Sequence, residues 1–245
     1  MKCIIFAAGF ATRLYPLTLH TPKPLLLING TPIIEHIIST LDPHKSIKDV
    51  FIVTNAKFYS QFEEWKNKFS SRFAITLVND GTSNQDERMG AIGDLKYVIS
   101  TQQISDDLLL IAGDNLFEDS LADLIAIFDR HKKPVIGVYD IGSEELASNY
   151  GVVEVNRSNV VTSFEEKPIK ATTSLIATFV YAIPARCIAH IHEYAAKYTN
   201  LDRAGDFIKY LSSAEDVVAV PFDGHWFDIG TIDQFEKANR YFSNR

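Results

Sequence analysis

The chain begins MKCIIFAAGFATRLYPLTLHTPKP (residues 1–24), an apolar run followed by a loop that carries two cations. The short apolar run at residues 3–8 is typical of a buried strand. It ends at Gly9, where the absence of a Cβ lets backbone amides approach a ligand closely. Arg13 offers a planar fork of donors suited to phosphate, and Lys23 offers a compact point charge. A strand that runs into such a loop predicts a site that holds a polyphosphate.

The composition fits one sizeable core. The chain has 245 residues, of which 46% are hydrophobic, and this length is compatible with a single α/β domain. The net charge of -7 argues against a general nucleic-acid binder, so we expect no nucleic-acid partner. No apolar run approaches the roughly 18 residues of a membrane span, and no signal peptide is visible, so we expect no membrane partner.

Cys3 and Cys187 stand in apolar surroundings far apart in the sequence. This usage indicates two buried thiols in a reducing compartment, and we therefore predict a cytoplasmic protein. The oligomeric state is left open, and a homo-oligomer is compatible with the sequence.

Strand-like and helical patterns alternate through the first half of the chain. Alternation of this kind indicates an α/β fold with a largely parallel sheet and helices on both faces, with sites beyond the carboxyl ends of the strands. The patterns predict strands at 50–54, 74–78, 108–112 and 135–139, and helices at 33–41, 58–69, 89–99 and 121–131.

The second half changes character, with runs typical of strands separated by turns. We expect an antiparallel extension or lid on the same sheet rather than a separate domain. The predicted strands are 151–155, 160–164, 175–182 and 217–222, and the predicted helices are 184–196 and 232–241.

Two carboxylates follow predicted strands. Asp114 comes after a buried run and Gly113, which permits a sharp turn, and Asp228 lies in the segment WFDIGT (residues 226–231). Carboxylates suit Mg²⁺, which usually takes one or two of them together with substrate phosphates. Two other interpretations stay open: Asp114 caps the next turn, and Thr231 or Asp233 caps the last helix.

The start of the chain resembles one family closely. The segments AAGFATRLYPLT (residues 7–18) and PKPL (22–25) are similar to the signature of the sugar-1-phosphate nucleotidyltransferases, also called nucleoside-diphosphate-sugar pyrophosphorylases. Ala11 stands where that signature usually has a second glycine, and alanine tolerates a positive φ poorly. The resemblance implies that the nucleotide is bound by Ala8, Gly9, Thr12, Arg13 and Lys23.

Further motifs carry the same resemblance. Gly113-Asp114-Asn115 resembles the family's metal-binding motif, and Trp226-Phe-Asp228-Ile-Gly-Thr resembles the motif whose Asp shares the Mg²⁺. The two carboxylates lie more than a hundred residues apart, each at a predicted strand end, and one shared cation explains that placement. Met89-Gly90-Ala91 occupies the position of the base-recognition loop, so Gly90 is expected at the nucleobase.

The acceptor residues are also expected from the resemblance. In Phe164-Glu-Glu166-Lys167-Pro168, the second Glu would bind sugar hydroxyls and the Lys would meet the sugar phosphate. Taken alone, this run is typical of a solvated charged turn. Thr178 is expected to contact the acceptor, and Phe179 follows it where many glucose-1-phosphate thymidylyltransferases have glycine.

The resemblance implies a Rossmann-like three-layer sandwich with a mixed, mainly parallel central sheet, a GT-A-like nucleotidyltransferase fold. We expect one domain over residues 1–245, with a nucleotide-binding half (1–140) and a sugar-phosphate-binding half (141–245). Many relatives carry a C-terminal left-handed β-helix. The chain ends soon after its last predicted helix, so we expect none here.

The predicted activity is Mg²⁺-dependent transfer of a nucleoside monophosphate from a nucleoside triphosphate to a sugar-1-phosphate. The catalytic residues would be Arg13, Lys23, Asp114 and Lys167. Two rivals stay open: a transferase for a non-sugar phosphomonoester such as phosphocholine or an inositol phosphate, and a non-catalytic nucleotide-sugar sensor. The dinucleotide-binding pattern GxGxxG and the phosphate-loop pattern GxxxxGK(S/T) are both absent from the sequence.

Overall fold

The computed structural model describes residues 1–244. In that range, strands β1 to β13 span Lys2–Phe6, Leu27–Ile28, Thr31–Pro32, Asp49–Thr54, Ala74–Asn79, Leu108–Ala112, Asn115–Phe117, Val135–Asp140, Gly151–Val155, Val161–Glu166, Leu175–Ile183, Val218–Phe222 and Trp226–Asp228. Helices α1 to α8 span Ile33–Leu41, Tyr59–Lys68, Ala91–Thr101, Ala122–His131, Glu144–Ala147, Ile188–Lys197, Ala204–Ser212 and Ile232–Ser243. Short 3₁₀ helices span Thr12–Leu14, Lys23–Leu25 and Ala185–Cys187. Among these residues, every helix is too short or too polar to cross a membrane.

The chain forms two compact units that interleave in sequence. The first consists of Met1–Arg88, Ile111–Glu118 and the chain from Gly224 onward. The second consists of Met89–Leu110 and Asp119–Asp223. The expected single domain, with its halves meeting at residue 140, stays a prediction.

The first unit is built on parallel strands. β1 pairs with β4 and β4 with β5, both in parallel register, with Ile4 opposite Phe51. Cys3, Ile4 and Ile5 are fully buried. Both faces of the strand are covered, which explains why its sequence is continuously apolar rather than alternating. The end of β6 reaches the end of β1, where the Gly113 amide donates to the Phe6 carbonyl over 2.8 Å.

The second unit contains both kinds of pairing. β8 pairs with β12 in parallel and with β11 in antiparallel register, and β9 pairs in antiparallel register with β10 and β11. The predicted antiparallel pairing in the second half is therefore present. The prediction of an α/β fold with a mixed, mainly parallel central sheet is confirmed.

The predicted helices and strands are present with bounds shifted by a few residues. The helix predicted from residue 184 begins with a 3₁₀ turn at Ala185–Cys187, and α6 follows it. Helix α7 was not predicted, although its buried residues Ala204, Phe207, Ile208 and Leu211 have regular amphipathic spacing.

The pair β7–β13 was not predicted either. Each strand has three residues, which is too short to show a period. The two strands pair in antiparallel register within the first unit, with Asp228 opposite Asn115. This β7–β13 ribbon places Asp228 beside the residue that follows Asp114.

Helix α7 packs closely on β10, and we expect Gly205→Ala to lower the stability of the protein because little space separates the two elements. A Cβ on Gly205 would lie 2.6 Å from the Phe164 ring and would also meet the Glu166 carboxyl. Helix propensity alone favours alanine by about 1 kcal/mol. Overpacking costs about 1–3 kcal/mol, so the variant is expected to be less stable in urea unfolding. Lys209→Ala, on the exposed side of α7, serves as the control. Stabilisation by Gly205→Ala would contradict this packing.

Candidate functional site

The loop after β1 leaves a row of backbone amides without protein partners. The Ala7 amide donates to the Val53 carbonyl over 2.8 Å. From residue 8 to residue 13, no backbone amide donates a hydrogen bond to any residue of the described chain. Consecutive amides of this kind form concavities that bind anions. The loop therefore has the chemistry expected of a phosphate-binding segment.

Two buried side chains hold this loop by its carbonyl groups. Asn55, which follows β4, is fully buried, and its Nδ2 donates to the Ala8 carbonyl over 2.8 Å. Thr18 is also fully buried, and its hydroxyl donates to the Ala11 carbonyl over 2.7 Å. Because both carbonyls are bound, the loop is fixed without the use of its amides. Sequence reasoning gave neither residue a role, since an Asn after a strand and a Thr within a motif carry no distinctive pattern.

Ala11 adopts the left-handed conformation, with φ 47° and ψ 42°. Alanine therefore adopts a left-handed conformation at the position where the family signature has its second glycine. For a residue with a Cβ this conformation costs about 1–2 kcal/mol. The bonds from the Thr18 hydroxyl and the Leu14 amide to the Ala11 carbonyl help to offset that cost.

Lys23 and Asp114 form an ion pair in the first unit. Lys23 opens the 3₁₀ helix Lys23–Leu25, and its Nζ lies 2.6 Å from Asp114 Oδ2. The side chains are 14% and 29% exposed, so water screens the pair less than it would at the surface. The Asp114 carboxylate thus has an ion-pair partner, and its roles as metal ligand and as turn cap both stay predictions.

Gly113 explains how Asp114 reaches this position. A Cβ on Gly113 would lie 2.5 Å from the Phe6 carbonyl oxygen, a separation that real Cβ atoms do not adopt. Only glycine lets the chain leave β6 this close to the end of β1. The turn therefore sets Asp114 beside the loop that carries the predicted phosphate-binding residues.

The β7–β13 ribbon brings Asp228 close to Asp114, because Asp228 pairs with Asn115, the residue that follows Asp114. The Ile229 amide donates to the Asp114 carbonyl over 3.1 Å, directly beyond the Asp228 and Asn115 pair. Around Gly230, an added Cβ would lie 3.6 Å from Asp228 Oδ2 and 3.7 Å from Arg13 Nη2. The first unit thus brings together Arg13, Lys23, Asp114 and Asp228.

This donor set fits Mg²⁺. Both candidate ligands are carboxylate oxygens, which this cation prefers, and two of them leave positions for phosphate and water. Among residues 1–244, no group of three or more His, Cys, Asp or Glu side chains is arranged to hold a metal ion. A metal at Asp114 and Asp228 would therefore need ligands from a bound substrate. Thr231 caps α8 by accepting from the Gln234 amide, and this role does not involve the Asp228 carboxylate.

Glu166 and Lys167 lie in the second unit at the end of β10. The Glu166 carboxyl approaches Gly151, where a Cβ would lie 3.1 Å from Oε2. Burial raises the pKa of this carboxyl, Lys167 lowers it, Asp206 raises it and Arg203 lowers it, with a net upward shift. Glu166 is thus largely withdrawn from solvent, whereas its neighbours Glu165 and Lys167 are exposed. Lys167 has φ 50°, and its amide donates to the Tyr150 carbonyl over 2.9 Å.

Gly90 and Thr178 occupy tightly packed positions in the second unit. Gly90 has φ 78°, and a Cβ there would lie 2.6–2.7 Å from the backbone of Leu201 and Asp202. Thr178 is 1% exposed, and its hydroxyl donates to the Gly137 carbonyl over 3.0 Å. Its predicted contact with an acceptor stays a prediction.

Phe179 lies where the pairing of β11 with β8 is irregular, between Ala177 and Tyr181. Its φ is 56°, and its ring stacks on Tyr181 with centroids 5.2 Å apart. A left-handed backbone is easiest for glycine, and in this chain the irregular pairing of β11 with β8 accommodates a phenylalanine there.

Known proteins are similar to this chain over nearly its whole length. Bifunctional protein GlmU of Methanococcus aeolicus is 26% identical over 98% of this chain and 54% of its own length. The UTP–glucose-1-phosphate uridylyltransferase of Synechocystis sp. is 26% identical over 98% of this chain and 63% of its own length. The chain thus spans about half to two thirds of the length of these relatives.

A solved structure shares the fold. The putative glucose-1-phosphate thymidylyltransferase from Bacillus anthracis superposes with a TM-score of 0.85 at 23% identity, covering 98% of this chain and 94% of that one. The sequence also matches the model of the nucleotidyl transferase family over residues 2–245. The resemblance inferred from the sequence is confirmed, and the chain belongs to the nucleotidyl transferase family.

Proposed function

We propose that this chain transfers a nucleoside monophosphate from a nucleoside triphosphate to a sugar-1-phosphate, with Mg²⁺ as cofactor. The observation that supports this most is the assembly in the first unit of the amide-lined loop, two cations and two carboxylates. Nucleotidyl transfer from a triphosphate needs such groups, because its catalysis consists of positioning the substrates and stabilising the phosphate charge. The relatives named for uridylyl and thymidylyl transfer support the same class of reaction.

The loop would hold the triphosphate. The free amides of residues 8–13, including those of Gly9 and Thr12, would donate to phosphate oxygens, and Arg13 and Lys23 would carry the compensating charge. Asn55 and Thr18 would keep the loop in that shape before the substrate arrives. Hydrogen-bond donors that are already in place stabilise the negative charge that develops in the transition state, and preorganised donors contribute most to catalysis there.

Asp114 and Asp228 would hold Mg²⁺. When bound, this ion neutralises phosphate charge and orients the leaving pyrophosphate. Lys23 lies 2.6 Å from Asp114, so a triphosphate held by Lys23 would also lie near the metal ligands.

The acceptor would be held by residues of the second unit. Lys167 would neutralise the phosphomonoester, Glu166 would accept hydrogen bonds from sugar hydroxyls, and Thr178 would contribute to the same site. An acceptor phosphate oxygen attacks the α-phosphorus and forms a new P–O bond. The bond from the α-phosphorus to the bridging oxygen breaks, and pyrophosphate leaves with that electron pair. Gly90 would lie at the nucleobase.

The cytoplasm is the proposed location. Cys3 and Cys187 are both buried and free, and burial raises the pKa of the Cys187 thiol to about 11. Unreactive thiols of this kind fit a reducing compartment.

Pyrophosphate release from a panel of nucleoside triphosphates tests this function directly. Each triphosphate is combined with sugar-1-phosphates, phosphocholine or an inositol phosphate, with and without Mg²⁺. We expect Mg²⁺-dependent release only when a sugar-1-phosphate is present. Faster turnover with phosphocholine or an inositol phosphate would favour a non-sugar acceptor, and binding without release would favour a sensor.

We predict that Arg13→Ala and Lys23→Ala each lower turnover by roughly a hundredfold or more, because both cations oppose developing phosphate charge. Steady-state kinetics beside circular dichroism measure the effect and check the fold. Lys237→Ala, which removes an exposed lysine of α8, is the matched control and should leave turnover unchanged. A folded variant with near-normal turnover would remove that residue from the proposal.

The two carboxylates should behave as one unit. Asp114→Asn and Asp228→Asn should each weaken Mg²⁺ dependence and activity, and the double variant should lose little more than the worse single one, since each change disables the same ion. Asp123→Asn, on the exposed side of α4, is the control. A shared metal would be contradicted if the fold-loss of activity in the double variant equalled the product of the two single fold-losses. Activity that persists in excess chelator would contradict it too.

For the acceptor, Lys167→Ala and Glu166→Gln should raise the KM of the sugar phosphate roughly tenfold or more while the nucleotide KM changes little. Glu166→Gln should also change stability with pH. Burial raises the pKa of Glu166, so ionisation costs stability as pH rises through that raised pKa. The Gln variant should therefore be the more stable protein near neutral pH, and the difference should shrink in acid.

Thermal unfolding of wild type and Glu166→Gln across this pH range measures the second effect. Glu165→Gln, which changes the exposed neighbour, is the control. A shift in the nucleotide KM alone would assign the motif to nucleotide binding, and equal stability of both proteins at every pH would contradict the burial argument.

A further inference from the structure

A cluster of three polar side chains lies at one end of the β7–β13 ribbon. The Tyr241 hydroxyl donates to Glu118 Oε1 over 2.8 Å, and His225 Nδ1 lies 2.9 Å from Glu118 Oε2. The His225 amide also donates to Glu118 Oε2 over 3.1 Å. The Glu118 side chain is 15% exposed, so this carboxyl is partly shielded from water. We call Glu118, His225 and Tyr241 the ribbon clamp.

The clamp continues the ribbon that carries the metal ligands. The Glu118 amide donates to the His225 carbonyl over 3.1 Å, next to the pair Trp226 and Phe117. Three residues along the ribbon from His225 and Glu118, Asp228 lies opposite Asn115. At the rise of a β-strand this separation is about 10 Å. The clamp and the candidate metal ligands therefore occupy opposite ends of one short ladder.

Such a ladder needs support from outside. Two strands of three residues are marginal on their own. A slip of one residue would turn every side chain to the other face, which would separate Asp228 from Asp114. Tyr241 supplies the support from α8, where its ring also lies 4.3 Å from the His225 ring and 5.3 Å from the Phe227 ring.

Helix α8 is joined to the ribbon at both of its ends. At its start, Thr231 is the N-cap, and the Gly230 amide, two residues after Asp228, donates to Gln234 Oε1 over 2.9 Å. Near its end, Tyr241 binds Glu118. The helix therefore spans the ribbon from the metal-ligand end to the clamp.

We propose that Glu118, His225 and Tyr241 are positioning residues for Mg²⁺: the ribbon clamp fixes the register of β7 and β13 and so sets the separation of the Asp114 and Asp228 carboxylates. This inference rests on the proposed metal-dependent function of those two residues. The clamp would act through the ribbon, which carries Asp228 at its other end.

The test compares Tyr241→Phe and Glu118→Gln with Asn239→Ala. Asn239 is the matched control, because it joins α8 to another part of the first unit, the β2–β3 hairpin, where it accepts from the Asn29 amide. Mn²⁺ alone is titrated into each protein and followed by electron paramagnetic resonance. The Mg²⁺ concentration for half-maximal pyrophosphate release and the thermal midpoint are measured beside it.

We expect both clamp variants to weaken Mn²⁺ binding and to raise the Mg²⁺ requirement about two- to tenfold, the effect of one lost hydrogen bond. The nucleotide KM at saturating Mg²⁺ should stay near that of wild type. Asn239→Ala should lower the thermal midpoint without changing Mn²⁺ binding. Tyr241→Phe keeps the ring and its packing, so it should remain folded.

Unchanged Mn²⁺ binding and Mg²⁺ requirement in both clamp variants, with only a lower thermal midpoint, would overturn the inference and make the cluster a stabilising contact. The same loss of Mn²⁺ binding in Asn239→Ala would overturn it too. Failure of the proposed function looks different, because wild type itself would then release no pyrophosphate, while the Mn²⁺ titration would still report on the clamp.

Discussion

The close approach of Gly113 to Phe6 is the constraint on which the candidate site depends. The Gly113 amide donates to the Phe6 carbonyl over 2.8 Å, and a Cβ on Gly113 would lie only 2.5 Å from the same oxygen. This contact joins the end of β6 to the end of β1. As a consequence, Asp114 reaches Lys23, and the following residue, Asn115, enters the ribbon that carries Asp228. One tight backbone contact therefore places Asp114 beside Lys23 and brings Asn115 into the ribbon opposite Asp228.

Several residues in each unit adopt unfavourable local states. Ala11, Lys167 and Phe179 all have a positive φ, which costs energy for residues with a Cβ. Glu166 is held where burial raises the pKa of its carboxyl. Such costs persist where surrounding contacts over-determine the conformation, as the Thr18 hydroxyl does at the Ala11 carbonyl. A left-handed backbone also occurs at Asn29, Gln103, Lys132 and Asn159, so these costs are not confined to the candidate site residues.

The sequence predicted the long elements well because buried strands and amphipathic helices have clear periods. The strand at Leu108–Ala112 and the helix at Ile33–Leu41 have the predicted bounds. The motif around Gly9, Arg13 and Lys23 also led to the family, because a long signature is specific.

Other features could not be predicted. The β7–β13 ribbon is too short for any period, and its pairing joins residues more than a hundred positions apart, as do the contacts of Tyr241 with Glu118. Asn55 supports the loop through a single hydrogen bond that no local pattern encodes. Helix α7 is different, since its apolar spacing was present in the sequence and could have been found.

The most direct test of the central claim follows the phosphorus atoms. Nucleoside triphosphates labelled with ³²P at either the α- or the γ-phosphate are incubated with Mg²⁺ and a sugar-1-phosphate, and the products are separated. The loop, the two cations and the paired carboxylates predict that α-label appears in a nucleoside-diphosphate sugar and γ-label in pyrophosphate. Transfer of the γ-label to the sugar phosphate, or release of the label without any nucleotide sugar, would contradict the account.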